Sequence, residues 1–400
     1  MDDTDLIKIK RIDALLEGRR QGIVDTLGRL IDLQGGSEDR AAVNRVGDLL
    51  AARFEKLGFS IERHTPPVYG DHLVFRNGGG DNRVVLAGHM DTTFTDYSEL
   101  PPFHLDGEHA VGPGTADMRG GLVTALAALE ILHELGLLDR LPVTVICNAD
   151  EERGSSTSYR IFEAEAARAR CAMVFECAGK EGEIVVGRRG KLSARLSVEG
   201  RAGHAADRSL KKASAIEEIA HKVIALEALN DGREGASFNV GLIRGGIAGN
   251  TFPRHASIDF DIRYFRRPDR EWVEREVLRI ADDNRAEGVR STVDWTSARP
   301  VWEPSDSDGQ TALQAAISGA AAALGQPFST EFRYGTSDAN FLAAAGVPTV
   351  DGMGPVGFAD HTDREHIVLE SLFERVRLTA LVLLVLWGAL GTVPSFQLVG

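Results

Sequence analysis

The sequence contains little cysteine, and its cysteines form no metal-binding or redox motif. Cys147, Cys171 and Cys177 are odd in number, lie in or beside apolar runs, and show no Cys-x-x-Cys spacing. A disulfide framework needs paired cysteines, and thiolate metal sites need closely spaced ones. The pattern therefore indicates reduced, mostly buried thiols, as expected in a cytoplasmic protein.

Basic charge is also scarce. The chain has 45 Lys and Arg against 59 Asp and Glu, which gives a formal net charge of −14. A nucleic-acid-binding surface needs a basic face that displaces counterions from phosphates. We therefore expect no nucleic-acid partner. A small-molecule substrate is compatible with this charge, because a local site can oppose the overall field.

Long hydrophobic runs are absent as well. The longest, residues 378–391, has 14 residues, fewer than the ~20 needed to span a bilayer, so we interpret it as a buried C-terminal helix. The N-terminal stretch is charged and lacks the apolar region of a signal peptide. These features predict a cytoplasmic protein with no membrane partner. The absence of a Gly-x-Ser-x-Gly motif argues against a serine hydrolase.

The segments on either side of residues 190–299 have the pattern of an α/β domain. A length of 400 residues exceeds one ordinary core, so we expect two domains. Helical spacing of apolar residues predicts helices over the segments 12–33, 37–56 and 120–136. Continuously apolar runs are typical of strands covered on both faces of a parallel or mixed sheet, and they occur at 83–91, 141–150, 172–179 and 346–354. We therefore predict an α/β fold with a mixed central sheet flanked by helices.

Residues 190–299 have a different pattern. Apolar and polar residues alternate in 191–199 and 256–264, which predicts antiparallel strands with one face in water. The predicted order of strand, helix, strand, strand, helix and strand is that of a ferredoxin-like α+β unit, over 191–199, 209–228, 237–244, 256–264, 269–286 and 289–296. The organisation predicted is a domain of residues 1–188 and 299–400 interrupted by an inserted domain of residues 189–298.

Metal-capable side chains follow the apolar runs of the larger domain. The run 141–150 ends in the first of three consecutive acids, residues 150–152. Two such charges about 4 Å apart would repel by roughly 4 kcal/mol at a surface-like dielectric constant. Ligands bind beyond the carboxyl ends of strands in open α/β sheets. Taken singly, each side chain has a structural alternative; Asp117, for example, could cap the following helix. Strand-end placement would gather six of them at one edge: His89, Asp117, Glu151, Glu152, Glu176 and His361.

The residue types in this set suit a dinuclear metal centre. Two imidazoles and three of the four carboxylates are suitable ligands for zinc, with cobalt or manganese as substitutes. Three anionic ligands against two divalent cations leave about one positive charge, which can stabilise a bound hydroxide. Adjacent residues at a strand end point in different directions. Glu152 can therefore be a ligand while Glu151 faces the water as a base.

Motifs around these residues recur in one known superfamily. The chain resembles the dinuclear zinc carboxypeptidase/aminoacylase superfamily and is most similar to its glutamate carboxypeptidase type. The resemblance runs from about residue 37 to residue 390. The motifs that carry it are GHMDTT, GPGTADMRGG, NADEERGS, VFECAG, GRAGHAA, GNTFPRHASIDFDIR and GTSDANFLAAAGVPTVDGMGPVGFADHTDREHI.

The resemblance implies two zinc sites that share the carboxylate of Asp117. His89 and Glu176 would complete one site, and Glu152 and His361 would complete the other. It also implies a cis peptide bond directly after Asp117. The larger domain would therefore be the catalytic domain.

The resemblance implies further roles around the metal ions. Glu151 would be the general base and acid, and Asp91 would orient the first histidine ligand. The inserted domain would be a lid and dimerisation domain, from which His204 reaches the partner subunit's active site and helps to bind the oxyanion. Asn250 and Arg263 would bind the free carboxylate of the substrate. The segment 335–341, which would open a helix, could add backbone N–H groups for the same anion.

The resulting hypothesis is amide hydrolysis by a homodimer. A hydroxide that bridges the two zinc ions would attack the scissile carbonyl, after Glu151 removes a proton from the water. The substrate would be an N-acyl amino acid or a small peptide with a free carboxylate. Two alternatives stay open: a deaminase, deacylase or carbamoyl hydrolase with the same centre, and a metal-dependent binding protein without catalysis. A dinucleotide-binding loop is disfavoured, because Asp117 replaces the third glycine of that motif.

Overall fold

The structure of the protein is a computed structural model, which describes residues 3–207, 209, 211–231 and 234–388. In chain order the helices are α1 (Asp3–Asp32), α2 (Arg40–Lys56), α3 (Gly120–Glu134), α4 (Tyr159–Ala166), α5 (Ala215–Glu227), α6 (Arg267–Asp282), α7 (Asp308–Ala323), α8 (Ala339–Ala344) and α9 (Leu369–Leu386). A π-helical turn covers Thr115–Arg119, and short 3-10 turns cover Leu138–Arg140, Glu151–Arg153 and Ala228–Asp231.

The strands are, in the same order, β1 (Ser60–His64), β2 (His72–Arg76), β3 (Arg83–His89), β4 (His104–Asp106), β5 (His109–Val111), β6 (Val143–Asn148), β7 (Ala169–Val174), β8 (Ile184–Arg188), β9 (Gly190–Glu199), β10 (Gly203–His204), β11 (Ala236–Gly245), β12 (Thr251–Phe252), β13 (His255–Tyr264), β14 (Arg290–Arg299), β15 (Thr330–Arg333), β16 (Thr349–Val350), β17 (Gly357–Phe358) and β18 (His366–Val368).

The described part of the chain divides into two compact units. The first unit comprises residues 3–187, 304–333 and 337–388. The second unit comprises the described residues of 188–303 together with 334–336.

A six-stranded mixed sheet forms the centre of the first unit, with the strand order β1-β2-β6-β3-β7-β16. Strands β6, β3, β7 and β16 are parallel, whereas β1 and β2 pair antiparallel at one edge. Every residue of β3 and β6 is buried. Both faces of these strands are therefore covered, as their continuous apolarity predicted, and the predicted α/β fold with a mixed central sheet is confirmed.

Helix α3 is the crossover between the parallel strands β3 and β6. It is buried along nearly its whole length and contacts α1, α9 and β3. Its first turn lies very close to the end of β7, because a Cβ atom at Gly121 would lie 1.8 Å from the carbonyl oxygen of Phe175. Only glycine allows this approach. A predicted metal ligand lies just before α3 and another just beyond β7, so this approach brings the two ligand-bearing segments together.

The second unit contains a four-stranded antiparallel sheet in the order β11-β13-β9-β14. Residues alternate between buried and partly exposed along β9 and β13. Helices α5 and α6 pack on this sheet and contribute Ile219, Val273 and Val277 to its core. The element order β9-α5-β11-β13-α6-β14 confirms the predicted ferredoxin-like arrangement.

Several predicted boundaries were wrong for local reasons. Helix α2 begins at residue 40 rather than 37, since the side chain of Asp39 accepts the N–H of Ala42 and caps the helix. Helix α5 begins at residue 215 rather than 209 because Ser214 caps it in the same way.

The strands predicted at residues 172–179 and 346–354 also have different bounds in the structure. Strand β7 starts and ends earlier than predicted, at residues 169 and 174, so Glu176 lies beyond the strand rather than inside it. Strand β16 has only two residues; Gly352 follows it with a φ of +72°. The predicted C-terminal helix is α9, buried along most of its length, and residues 389–391 lie outside the described residues.

The sequence patterns did not predict several further elements, among them α4, α7, β1, β2 and the small sheet β17-β18-β5-β4. Within the described residues, no helix has the length and apolarity needed to cross a membrane.

A buried charged pair joins α5 to the end of α6 in the second unit. The side chains of Lys222 and Glu218 are 2% and 0% exposed and their charged atoms lie 2.8 Å apart. The ammonium group of Lys222 donates to the carbonyl oxygens of Ile280, Ala281 and Asp283 at the C-terminus of α6. It thereby satisfies carbonyl groups that the helix itself leaves unbonded.

We expect Lys222→Met to lower the free energy of unfolding by about 3–5 kcal/mol, because it leaves a buried carboxylate without its cation. Chemical denaturation followed by fluorescence and circular dichroism measures this. Lys212→Met is the matched control, since its ion pair with Glu217 joins side chains that are 54% and 47% exposed; it should cost at most about 1 kcal/mol. Equal losses for the two variants would contradict the assigned role.

Candidate metal centre

The predicted ligands lie at the carboxyl edge of the central sheet. His89 is the last residue of β3, Glu152 lies in the turn after β6, and Glu176 lies two residues beyond β7. Asp117 lies in the π-helical turn that leads into α3, and its peptide bond to Met118 is cis. Because β6, β3 and β7 are adjacent and parallel, their ends meet at one edge.

One group of side chains forms around His89. Its Nε2 atom lies 2.8 Å from Oδ1 of Asp117 and 3.8 Å from Oε1 of Glu176. The ligand atoms of these three residues all lie within 4.8 Å of one another, which is close enough to hold one metal ion. The imidazole is fully buried.

A second group forms around His361, in the loop between β17 and β18. Its Nε2 atom lies 3.0 Å from Oδ2 of Asp117 and 3.3 Å from Oε2 of Glu152. The two carboxylate oxygens of Asp117 therefore face different imidazoles, each of which has a further carboxylate beside it. This is the arrangement that a bridging carboxylate between two metal ions requires.

The His361 loop has an uncommon backbone. His361 and Ala359 have φ angles of +62° and +57°, in the left-handed region that residues other than glycine seldom adopt. Such conformations concentrate at functional sites, where surrounding structure holds them. In this loop the conformation accompanies the placement of the imidazole beside Asp117.

Burial and mutual hydrogen bonding shift the pKa values of the side chains in this cluster. Burial raises the pKa of Glu152 to about 7 and raises the pKa of Glu176 well above its usual value. Hydrogen bonds to Asp117 and Glu152 raise the pKa of His361 to about 11. Burial alone would lower the pKa of His89, but its bonds to Asp117 and Asp91 raise it. Buried carboxylates either take up protons or face cations.

The side chain of Glu152 tests whether a metal ion fits. The carboxylate is 7% exposed, and its buried Oε1 atom accepts no hydrogen bond from the described residues. A buried carboxylate oxygen is costly unless a donor or cation satisfies it. Together with the imidazole and carboxylate donors beside it, this oxygen fits a divalent metal ion.

Asp91 has more partners than the sequence indicated. Nδ1 of His89 lies 2.9 Å from the carbonyl oxygen of Asp91 and 3.4 Å from its carboxylate. The carboxylate accepts the hydroxyl of Ser37 at 2.7 Å and the N–H groups of Glu151 and Glu152 at 3.2 and 3.3 Å. Asp91 therefore contacts the imidazole and also holds the turn that carries the two glutamates.

The three consecutive acidic residues after β6 lie in two different environments. Asp150 is fully buried and accepts hydrogen bonds from the backbone and hydroxyl of Thr157 and from the hydroxyl of Ser158. It therefore stabilises the turn. Glu151 and Glu152, the next residues in the turn, are the ones placed at the sheet edge.

Two acidic residues at the centre were missed by the sequence analysis. Asp360 offers a carboxylate oxygen within 4.8 Å of the ligand atoms of Asp117 and His361. Glu365 is buried and accepts the N–H groups of the Asp117 turn. The only signal in the sequence was their position in the segment ADHTDRE, within four residues of His361.

The remaining predicted site residues belong to the second unit. His204, at the end of β10, is exposed and pairs with Thr251 of β12, and the carbonyl oxygen of Asn250 accepts the N–H of Ala205. These two residues therefore lie on adjacent segments. Arg263 lies on β13, where its Nε atom donates to Asp261 at 2.6 Å.

The expectation that residues 335–341 offer free N–H groups to an anion is wrong for most of that turn. The N–H groups of Ser337, Ala339, Asn340 and Phe341 are bonded within the turn, to oxygen atoms of Asn340, Ser337, Ser337 and Asp338, respectively. Helix α8 is also only six residues long.

Comparisons with known proteins point to one family. The model of peptidase family M20/M25/M40 matches residues 85–384. Carboxypeptidase G2 of Pseudomonas sp. (strain RS-16) is 28% identical over 365 residues, which cover 90% of this chain and 88% of that protein. Succinyl-diaminopimelate desuccinylase of Stenotrophomonas maltophilia (strain R551-3) is 30% identical over 343 residues, covering 81% of this chain and 89% of that protein.

A solved structure shares the fold. The YXEP protein of Bacillus subtilis, described as a dinuclear metal binding peptidase from M20 family, superposes with a TM-score of 0.66 at 16% identity, covering 94% of this chain and 100% of that chain. The family match spans the segment from β3 to α9 and so includes both groups of candidate ligands. The resemblance inferred from the sequence motifs is confirmed: the chain belongs to peptidase family M20/M25/M40 and is a metal-dependent hydrolase of the metallopeptidase and aminoacylase type.

Proposed function

We propose that this enzyme hydrolyses the amide bond of an N-acyl amino acid or a small peptide with a free carboxylate. The observation that supports this most strongly is the position of Asp117, whose two carboxylate oxygens face His89 and His361 at 2.8 and 3.0 Å. Each imidazole has a second carboxylate beside it. A shared carboxylate between two such groups suits a pair of metal ions that act together on one bond.

Two zinc ions, with cobalt or manganese as substitutes, are the proposed cofactors. Asp117 would bridge them, His89 and Glu176 would complete one site, and Glu152 and His361 the other. When bound, such ions polarise a carbonyl group and lower the pKa of water toward 7.

Glu151 is the proposed general base and acid. Its backbone N–H donates to the carboxylate of Asp91, and that of Glu152 does the same. This bonding fixes the turn that carries both glutamates, so that Glu152 can be a ligand while Glu151 transfers protons. Glu151 would take a proton from the attacking water and then pass it to the leaving amine.

The second unit is proposed to bind the substrate's polar groups. His204 would donate a hydrogen bond to the oxyanion, and Arg263 and Asn250 would bind the free carboxylate. The names of the two relatives describe removal of a C-terminal residue and removal of a succinyl group. A substrate with a free carboxylate and a hydrolysable acyl linkage is compatible with both of these activities. We therefore propose this substrate class and no single substrate.

A homodimer through the second unit is also proposed. Strand β11 is an edge strand, and the apolar side chains of Leu242 and Ile243 on it are 52% and 62% exposed. Ile247, just after it, is 93% exposed, and Ile224 on the neighbouring helix α5 is 68% exposed. Exposed edge strands and contiguous apolar surface are typical of protein–protein interfaces. A second copy of this chain is the proposed occupant.

Metal removal should destabilise the enzyme and abolish its activity. Metal ions that bind only the folded state, at 100 times their dissociation constant, stabilise it by about 2.7 kcal/mol per site. We therefore expect chelation to lower Tm and readdition of zinc to restore both Tm and turnover, with two ions bound per chain. Glu176→Gln should reduce the bound metal, whereas Glu181→Gln, an exposed neighbour in sequence, should not. A Tm that does not respond to zinc would refute the metal assignment.

Glu151→Gln should lower kcat by about 10²–10⁴-fold, the usual contribution of a general base. The metal content and KM should change little, because the substitution removes the proton acceptor but no ligand. Steady-state kinetics with a panel of N-acyl amino acids, together with metal analysis, measures both. Glu163→Gln, at an exposed position on α4, is the control. A kcat within tenfold of wild type would contradict the role of Glu151.

The proposal that His204 acts across a dimer can be tested by mixing inactive variants. We expect His204→Ala and Glu151→Gln each to be nearly inactive alone. After subunit exchange, activity should return to about one quarter of the wild-type rate, because half of the dimers are mixed and each mixed dimer has one complete site. If His204 acts within its own chain, mixing will restore nothing.

A further inference from the structure

Glu365 is a buried carboxylate bonded entirely by backbone N–H groups. It is 1% exposed. Its Oε2 atom accepts the N–H of Gly114 at 2.8 Å, and its Oε1 atom accepts those of Ala116 and Asp117 at 2.8 and 2.9 Å. Among the described residues, no Lys, Arg or His side chain is bonded to it. Its hydrogen bonds therefore serve the turn that carries Asp117.

The backbone of Glu365 lies on the other ligand-bearing segment. Its carbonyl oxygen accepts the N–H of Gly112, and the strand that follows it, β18, pairs with β5. On the N-terminal side, the N–H of Glu365 donates to the carbonyl oxygen of Thr362. The hydroxyl and N–H of Thr362 both donate to the carbonyl oxygen of Ala359. His361 lies inside this bonded loop.

These contacts join two segments that are far apart in sequence. One segment carries Asp117, which faces both imidazoles, and the other carries His361. The side chain of Glu365 fixes the backbone of the first segment, and its main chain belongs to the second. Any displacement of this carboxylate would therefore change the separation between the oxygen of Asp117 and the imidazole of His361.

We propose that Glu365 is a positioning residue that sets the relative placement of Asp117 and His361 and thereby the metal affinity of the centre. This inference rests on the proposed function of the centre as a dinuclear metal site. Residues that bond to metal ligands from outside typically change metal affinity by about 10–100-fold when replaced. Glu365 acts through three backbone N–H groups rather than through a ligand side chain.

Glu365→Gln tests this placement while keeping the side-chain volume. The amide group of glutamine would direct N–H donors at one of the positions where Gly114, Ala116 and Asp117 donate. We expect zinc titration of the metal-free protein, followed by calorimetry, to show at least about tenfold weaker binding at one or both sites. At saturating zinc, kcat should be reduced while KM stays within about twofold, as expected when the metal centre and not substrate binding is altered.

Two controls separate positioning from general stability. Glu218→Gln replaces an equally buried carboxylate in the second unit, which accepts the N–H groups of Arg285 and Ala286. It should lower Tm without changing zinc affinity. Asp363→Asn replaces an exposed acid in the His361 loop and should change neither quantity.

If Glu365→Gln does not fold, Glu365→Asp keeps the charge but shortens the side chain and should still weaken zinc binding. Zinc affinity within twofold of wild type in a folded Glu365 variant, whatever its Tm, would overturn the proposal. The titration uses no substrate. A wild-type protein that binds two zinc ions without hydrolysing amides would overturn the proposed function and leave this inference intact.

Discussion

The structure depends on a concentration of buried carboxylates, which must either take up protons or be offset by cations. Glu176 and Glu152 are largely withdrawn from water beside Asp117, and burial raises the pKa of each of these two glutamates. An arrangement of this kind lowers the stability of the folded chain unless positive charge is supplied. Two imidazoles supply part of it, and metal ions would supply the rest.

The fold brings these side chains together by simple means. Parallel strands end at one edge, so residues separated by dozens of positions become neighbours there. The glycine at position 121 allows α3 to approach the end of β7, and the carboxylate of Asp91 fixes the turn after β6. Glu365 then connects the two segments that carry Asp117 and His361. The site is therefore held mainly by backbone hydrogen bonds, which leaves the ligand side chains free for cations.

The strands of the central sheet and the candidate ligands at their ends could be predicted from the sequence, because short segments carry the information for both. Apolar runs that end in His89 or lead into Glu152 carry both the strand and the candidate ligand in one short segment. The role of Glu365 could not be predicted, because its partners are backbone N–H groups about 250 positions away. The same holds for strand boundaries: β7 begins at residue 169 because its neighbour β3 pairs with it there, although the second residue of the strand, Arg170, is charged.

The central claim is that Asp117 joins two metal ions. Anomalous X-ray scattering from zinc-loaded crystals, measured on both sides of the zinc absorption edge, tests it most directly. The account predicts two peaks, one between His89, Asp117 and Glu176 and the other between Asp117, Glu152 and His361. A single peak, or peaks away from the Asp117 carboxylate, would contradict it.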